Sequence, residues 1–121
     1  MTSPRPAQVI HRSDAPHITK SGVDMVLYGG DGERAAIVHQ RTRTGHGEEI
    51  VHHRSTFLYY VIAGSGTWVI EDTEHPAEAG DLVIVPPGSR FHFFGDLEQL
   101  CITAPAWTAE HEESIRTVGR P

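Results

Sequence analysis

Nine histidines stand among 121 residues, beside ten Lys+Arg of which one, Lys20, is a lysine. Imidazole is the commonest metal ligand, and it is also the side chain whose ordinary titration falls near neutral pH. Two chemistries are therefore open, coordination of a metal or proton transfer without one. The histidines that gather along the chain are His46, the adjacent His52 and His53, and His92, with Glu48 adding a carboxylate between the first two groups. Tyr59 and Tyr60 follow the pair closely, and an inward tyrosine can donate a proton or orient a carbonyl. Sulfur offers little. One cysteine, Cys101, excludes an internal disulfide and a cysteine-based zinc cage, and its apolar surroundings predict an inert thiol.

Charge narrows the partners. Sixteen Asp+Glu give a net charge of −6, which would become +3 if all nine histidines were protonated. An acidic chain argues against nucleic acid and anionic membrane, which both call for a basic face. No apolar run approaches the roughly 20 residues needed to cross a bilayer. The opening MTSPRPAQ lacks the apolar stretch of a signal peptide, so a cytoplasmic location is expected.

These side chains need strands to carry them. Ile and Val number nineteen against five Leu, with ten Thr besides, and Gly plus Pro make 20 residues. That composition suits many short strands joined by tight turns. The pattern predicts strands at 9–11, 25–28, 35–41, 49–54, 57–62, 67–71, 81–85, 91–94 and 99–103. Turn clusters are predicted at Gly29–Gly32, Gly45–Gly47, Gly64–Gly66, Ala79–Gly80, Pro86–Gly88 and Gly95–Asp96. Thr108 as a cap, then Glu110, Glu112 and Glu113, then Arg116, predict a short C-terminal helix over about 109–117. Residues 1–8 read as a flexible leader and 9–121 as a single domain. The runs FLYYVI and LVIV are apolar on both faces, which predicts a second cover from another subunit and so a homodimer.

Two stretches resemble the cupin superfamily, the small jelly-roll β-barrels. HHRSTFLYYVIAGSGTWVI, residues 52–70, is similar to the first cupin motif. GDLVIVPPGSRFHFFG, residues 80–95, is similar to the second, with its Gly, five residues, Pro, one residue, Gly. The resemblance spans roughly residues 35–115 and implies an all-β cupin-type jelly-roll barrel. It also implies a metal site of three histidines and a glutamate. Carried over position by position, those ligands fall at Val51, His53, Phe57 and Phe91, so only His53 is retained. One imidazole does not hold a catalytic metal.

Parity on the first motif strand places Val51, His53, Ser55, Phe57, Tyr59 and Val61 inward, with Phe91 and Phe93 facing them. The expected site is thus an aromatic pocket for a small organic ligand, with no metal and no cofactor. His53 and Tyr59 are the expected proton-transfer pair of an isomerase, cyclase or lyase. Val51, Ser55, Phe57, Phe91 and Phe93 are the expected substrate-binding walls. Two alternatives stay open. One is a metal-dependent oxygenase or isomerase with displaced ligands His52, His53 and His92, supported by His46 and Glu48. The other is a ligand-binding or sensing module without turnover. Outside the pocket, His52 and His92 read as outward or interface histidines, Trp68 and Trp107 as packing anchors, and Arg41, Arg43 and Arg54 as solvent-facing charges.

Overall fold

A computed structural model describes residues 6–119. Its strands are β1 (His17–Lys20), β2 (Val23–Gly30), β3 (Ala36–Thr42), β4 (Gly45–His52), β5 (Thr56–Ile70), β6 (Thr73–Glu78), β7 (Leu82–Val85), β8 (Phe91–Ala104) and β9 (Glu112–Thr117). All pairings are antiparallel, in the order β1-β2-β3-β8-β4-β9, and β5 joins β6, β7 and β8.

The long strands β5 and β8 form the spine of this curled sheet, paired from Thr56↔Ala104 to Ile70↔Phe91. Two glycine clusters expected to be turns, Gly64–Gly66 and Gly95–Asp96, are instead bends within these continuous strands. They meet at Gly66↔Gly95. Gly95 takes φ +142°, and a Cβ there would sit 2.4 Å from the Ser65 carbonyl oxygen, so the crossing admits no side chain. Bent this way, β8 lends one half of an edge to β4 and the other to β3. A single strand thereby joins both walls of the barrel.

Alternation then decides what faces inward. On β8, Phe91, Phe93, Leu97, Gln99, Cys101 and Thr103 are all buried. Of these, Phe91, Phe93, Leu97 and Cys101 pack with Phe57, Tyr59, Val61, Trp68, Val23 and Ile50 into one aromatic-rich core.

The C-terminal helix does not form. Ala109–His111 is a single 3₁₀ turn, and Glu112–Thr117 is an edge strand on β4. Thr108 makes no capping bond to the backbone; its hydroxyl meets His111 Nδ1 at 2.6 Å. Backbone pairing along β4, from His52↔Glu112 to Glu48↔Thr117, outweighs the local helical charge pattern. Residues 9–11, expected as a strand, find no ladder partner and lead into a 3₁₀ turn at Arg12–Asp14. Strands β1 and β6 arise where none was expected, and Gly45–Gly47 opens β4 instead of forming a turn. Of the expected leader, residues 1–5 lie outside the described residues, and 6–8 are exposed without regular structure. Among the described residues no helix is long and apolar enough to cross a membrane.

Candidate functional site

Interior chemistry begins at the first turn of β4. Gly45 has φ +111°, and a Cβ there would lie 2.3 Å from the Phe93 carbonyl oxygen and from Phe94 Cα. Only glycine lets β4 approach β8 so closely. The approach sets the next residue, His46, opposite Phe93, with ring centroids 5.9 Å apart. His46 is buried, and its Nδ1 lies 2.7 Å from the Glu48 carbonyl oxygen. A carbonyl accepts only, so Nδ1 carries the proton and donates, leaving Nε2 with the lone pair. Among the described residues Nε2 has no hydrogen-bond partner. Burial holds the His46 pKa below the ordinary imidazole value, against the Glu48 hydrogen bond, which raises it. The side chain is a neutral base facing the barrel interior.

Tyr59 lies across from it, ringed by Phe57, Trp68, Phe91 and Phe93 at centroid distances of 5.5 to 6.1 Å. Burial pushes its phenol well above its usual pKa, and a hydrogen bond with the Cys101 thiol adds to the rise. Tyr59 therefore stays a neutral O–H donor. Cys101 is pushed up to about 12 by burial; it is no thiolate nucleophile.

A polar cluster spans from the β1 edge to β9. Lys20 Nζ binds Glu112 Oε2 at 3.0 Å and lies 5.4 Å from the centre of the Trp107 ring. The indole Nε1 donates to Glu112 Oε1 at 2.9 Å. His46 feels both charges: Lys20 lowers its pKa and Glu112 raises it. The Lys20–Glu112 pair thus belongs to the same electrostatic neighbourhood as the buried imidazole.

The expected site residues divide. Phe57, Tyr59, Phe91 and Phe93 lie in the core. Ser55 is buried, but its hydroxyl donates to the Pro105 carbonyl at 2.7 Å and its N–H donates to His52 Nδ1 at 2.9 Å, so it holds the loop before β9. Val51 is buried opposite Glu113, apart from the core cluster. His53 does not reach the interior: its side chain is 56% exposed and meets Glu113 at 3.1 Å. The parity assumed at the sequence level ran unbroken from residue 51 to 61. The chain leaves β4 at His52 and re-enters a strand at Thr56, so the alternation resets between them.

That break also turns His52 inward instead of outward. It is buried, its Nδ1 accepts from the Ser55 N–H, and its Nε2 donates to the Thr108 carbonyl at 3.1 Å. With both ring nitrogens engaged, His52 is a structural residue. His92 lies on the far face of β8, 3.8 Å from the buried Glu49 carboxylate, which Arg116 also pairs.

The metal site implied by the family resemblance does not fit these residues. Phe57 and Phe91 fill two ligand positions with hydrocarbon, His53 points outward, and His52 has both nitrogens bonded. Among the described residues no group of three or more His, Cys, Asp or Glu is placed to hold a metal ion.

Sequence reasoning missed His46, Lys20, Trp107 and Glu112 as a neighbourhood. The signals present were a histidine flanked by two glycines and the chain's one lysine.

A Cupin domain family model matches residues 36–99. No curated protein sequence matches the chain. Among solved structures, the nucleoside dehydratase Pac13 is 31% identical, with a TM-score of 0.91, over 94% of this chain and 95% of that one. Streptomyces PAC13 also appears in three single-residue variants with uridine, one His→Gln and two Tyr→Phe, at 30% to 31% identity and the same TM-score. KdgF from Halomonas sp. shares the fold at 14% identity and TM-score 0.73, over 87% of this chain and 98% of that one.

Proposed function

The chain belongs to the cupin domain family, and from that premise we propose that it is a lyase that removes water from a nucleoside-class substrate, with His46 as the base. One observation carries this reading. In the uridine-bound structures the altered histidine and two tyrosines are separated by 13 and 34 positions. Those are the separations of His46, Tyr59 and Phe93 here, and the His46 and Tyr59 rings both pack on Phe93 in the barrel.

The chemistry follows from the protonation states. Loss of water needs a proton removed from a carbon made acidic by a neighbouring carbonyl, and a hydroxyl that leaves from the next carbon. His46 Nε2 takes the carbon-bound proton, and the freed electron pair forms the double bond as the carbon–oxygen bond breaks. The imidazolium returns a proton to the departing hydroxyl, which leaves as water with no net change in the enzyme. Tyr59, held neutral by burial, donates a hydrogen bond that orients the substrate. The Lys20–Glu112 pair sets the charge around His46, and the apolar walls Phe57, Phe91 and Phe93 exclude bulk water.

Phe93 stands where the second tyrosine spacing falls. This chain lacks a hydroxyl there, which leaves Tyr59 and the His46 imidazolium as the interior proton donors. The test is incubation with uridine oxidised to a carbonyl beside a carbon that bears hydrogen, followed by mass spectrometry. A product lighter by one water, formed by the natural chain and not by His46→Gln, is expected. Bound but unchanged substrate with both proteins would assign a binding module instead.

The dimer belongs to the same proposal. Across the outer face, register aligns Ile37, Ile102, Leu58 and Ile84 in one row and Leu100, Tyr60 and Leu82 in the next. Leu82 and Ile84 are each 54% exposed and Tyr60 45%. A contiguous apolar sheet face of this kind supports association with a second copy about a two-fold axis. The buried, unpaired Cys101 supports a reducing, cytoplasmic setting.

A further inference from the structure

Two glutamines sit inside the barrel where hydrocarbon would be simplest. Gln99 is 0% exposed and Gln40 6%. Register puts them directly opposite each other on β8 and β3, and Gln99 Nε2 donates to Gln40 Oε1 at 2.7 Å. That bond uses one amide proton and leaves the rest of the Gln99 carboxamide unmatched: its Oε1 is buried with no hydrogen-bond partner. A buried acceptor left unpaired costs stability, and its presence in a folded core calls for a reason, of which a guest that supplies the missing donor is one.

The position of this orphan relative to the reacting groups is fixed by the ladder. Tyr59 pairs with Cys101, and the next inward row pairs Val61 with Gln99. Two residues along a strand advance roughly 7 Å, so the Gln99 amide lies about one sugar ring away from the Tyr59 row. Trp68 Nε1, on the same interior, is a second buried polar atom without a partner. Besides the His46 Nε2 lone pair, the aromatic interior thus holds an unpartnered acceptor in Gln99 Oε1 and an unpartnered donor in Trp68 Nε1 among the described residues.

We propose that Gln99, held by Gln40, is the recognition element for the non-reacting head of the ligand, and that it reads a cis-amide or imide edge such as that of a pyrimidine base. A carboxamide presents an acceptor and a donor side by side. Gln99 Oε1 accepts from the ring N–H, and the second Nε2 proton donates to the adjacent ring carbonyl. Gln40 fixes the orientation of that amide by taking its other proton. This inference rests on the nucleoside reading above and names the part of the nucleoside that is read.

The experiment is calorimetric titration with uridine and with N3-methyluridine, whose ring N–H is replaced by a methyl group. The natural chain is expected to bind uridine at least about tenfold more tightly than its methylated form. In Gln40→Leu/Gln99→Leu, which removes both partners and leaves neither amide orphaned, uridine is expected to weaken by about tenfold or more, with the preference over N3-methyluridine gone. Equal affinity of the natural chain for the two ligands overturns this inference alone, as does a double variant that keeps the preference. If the double variant does not fold, the two-ligand comparison on the natural chain decides. No binding of uridine by the natural chain overturns the nucleoside reading and this inference with it.

Discussion

His46 faces Phe93 across the β4–β8 ladder with its Nδ1–H held on the Glu48 carbonyl, so the nitrogen left free points into an aromatic barrel. The backbone fixes the tautomer, and burial fixes the charge.

The first consequence is a pH profile. Turnover requires neutral His46, and burial lowers its pKa. Activity should rise with pH through a midpoint below about 6.5, the ordinary imidazole value, and level off above that midpoint. Lys20 lowers this pKa and Glu112 raises it. Lys20→Met should therefore move the midpoint of kcat/KM up in pH, and Glu112→Gln should move it down. Identical midpoints in both variants would contradict the placement of the Lys20–Glu112 pair beside the imidazole.

Stability should carry the same sign. Burial lowers the pKa of His46, His52 and His92, so the unfolded chain binds more protons than the folded one below about pH 6.5. Their contribution is fully present above that pH and is lost as the pH falls through the depressed folded values. Urea midpoints measured between pH 7.5 and 5 should fall with acidity, and His52→Asn should flatten part of the slope.

Tyr59→Phe separates chemistry from packing. The ring contacts remain, and only the buried phenol oxygen is removed. Turnover should fall at least tenfold while the thermal midpoint moves by only a few degrees. A large loss of stability with unchanged turnover would make Tyr59 a core residue and nothing more.

Gly45→Ala tests the geometry that seats His46. The added methyl meets the Phe93 carbonyl and Phe94 Cα at 2.3 Å, at a φ that L residues rarely adopt. We expect a destabilisation of about 3 kcal/mol or more, read by chemical denaturation. Gly80→Ala is the control. It shares a positive φ but meets nothing within 4 Å, and it should cost about 1 kcal/mol.

For the outer face, Ile84→Glu places a charge in the middle of the apolar rows. Sedimentation velocity should show a dimer for the natural chain and a monomer for the variant, with the strand signature of its circular dichroism intact. A natural chain that sediments as a monomer at all concentrations overturns the dimer.

What the sequence determined by itself was the β composition, the glycine and proline punctuation of the two cupin-like motifs, and the inward aromatics Phe57, Tyr59, Phe91 and Phe93. Alternation within one strand is a local property, and residues 57–61 and 91–93 each lie within an unbroken strand. The tertiary structure decided what crosses a break or joins distant segments. His53 exchanged places with His52 because the chain leaves its strand between β4 and β5, a reset that periodicity does not register. Residues 112–117 became a strand because β4 offered an unpaired edge, and ladder hydrogen bonds outweighed a helical charge pattern. His46, Lys20 and Glu112 are far apart in sequence, and only the curl of the sheet brings their charges to bear on one imidazole. The β3–β8 register sets Gln40 against Gln99 inside the barrel, where the local sequence marks neither as buried.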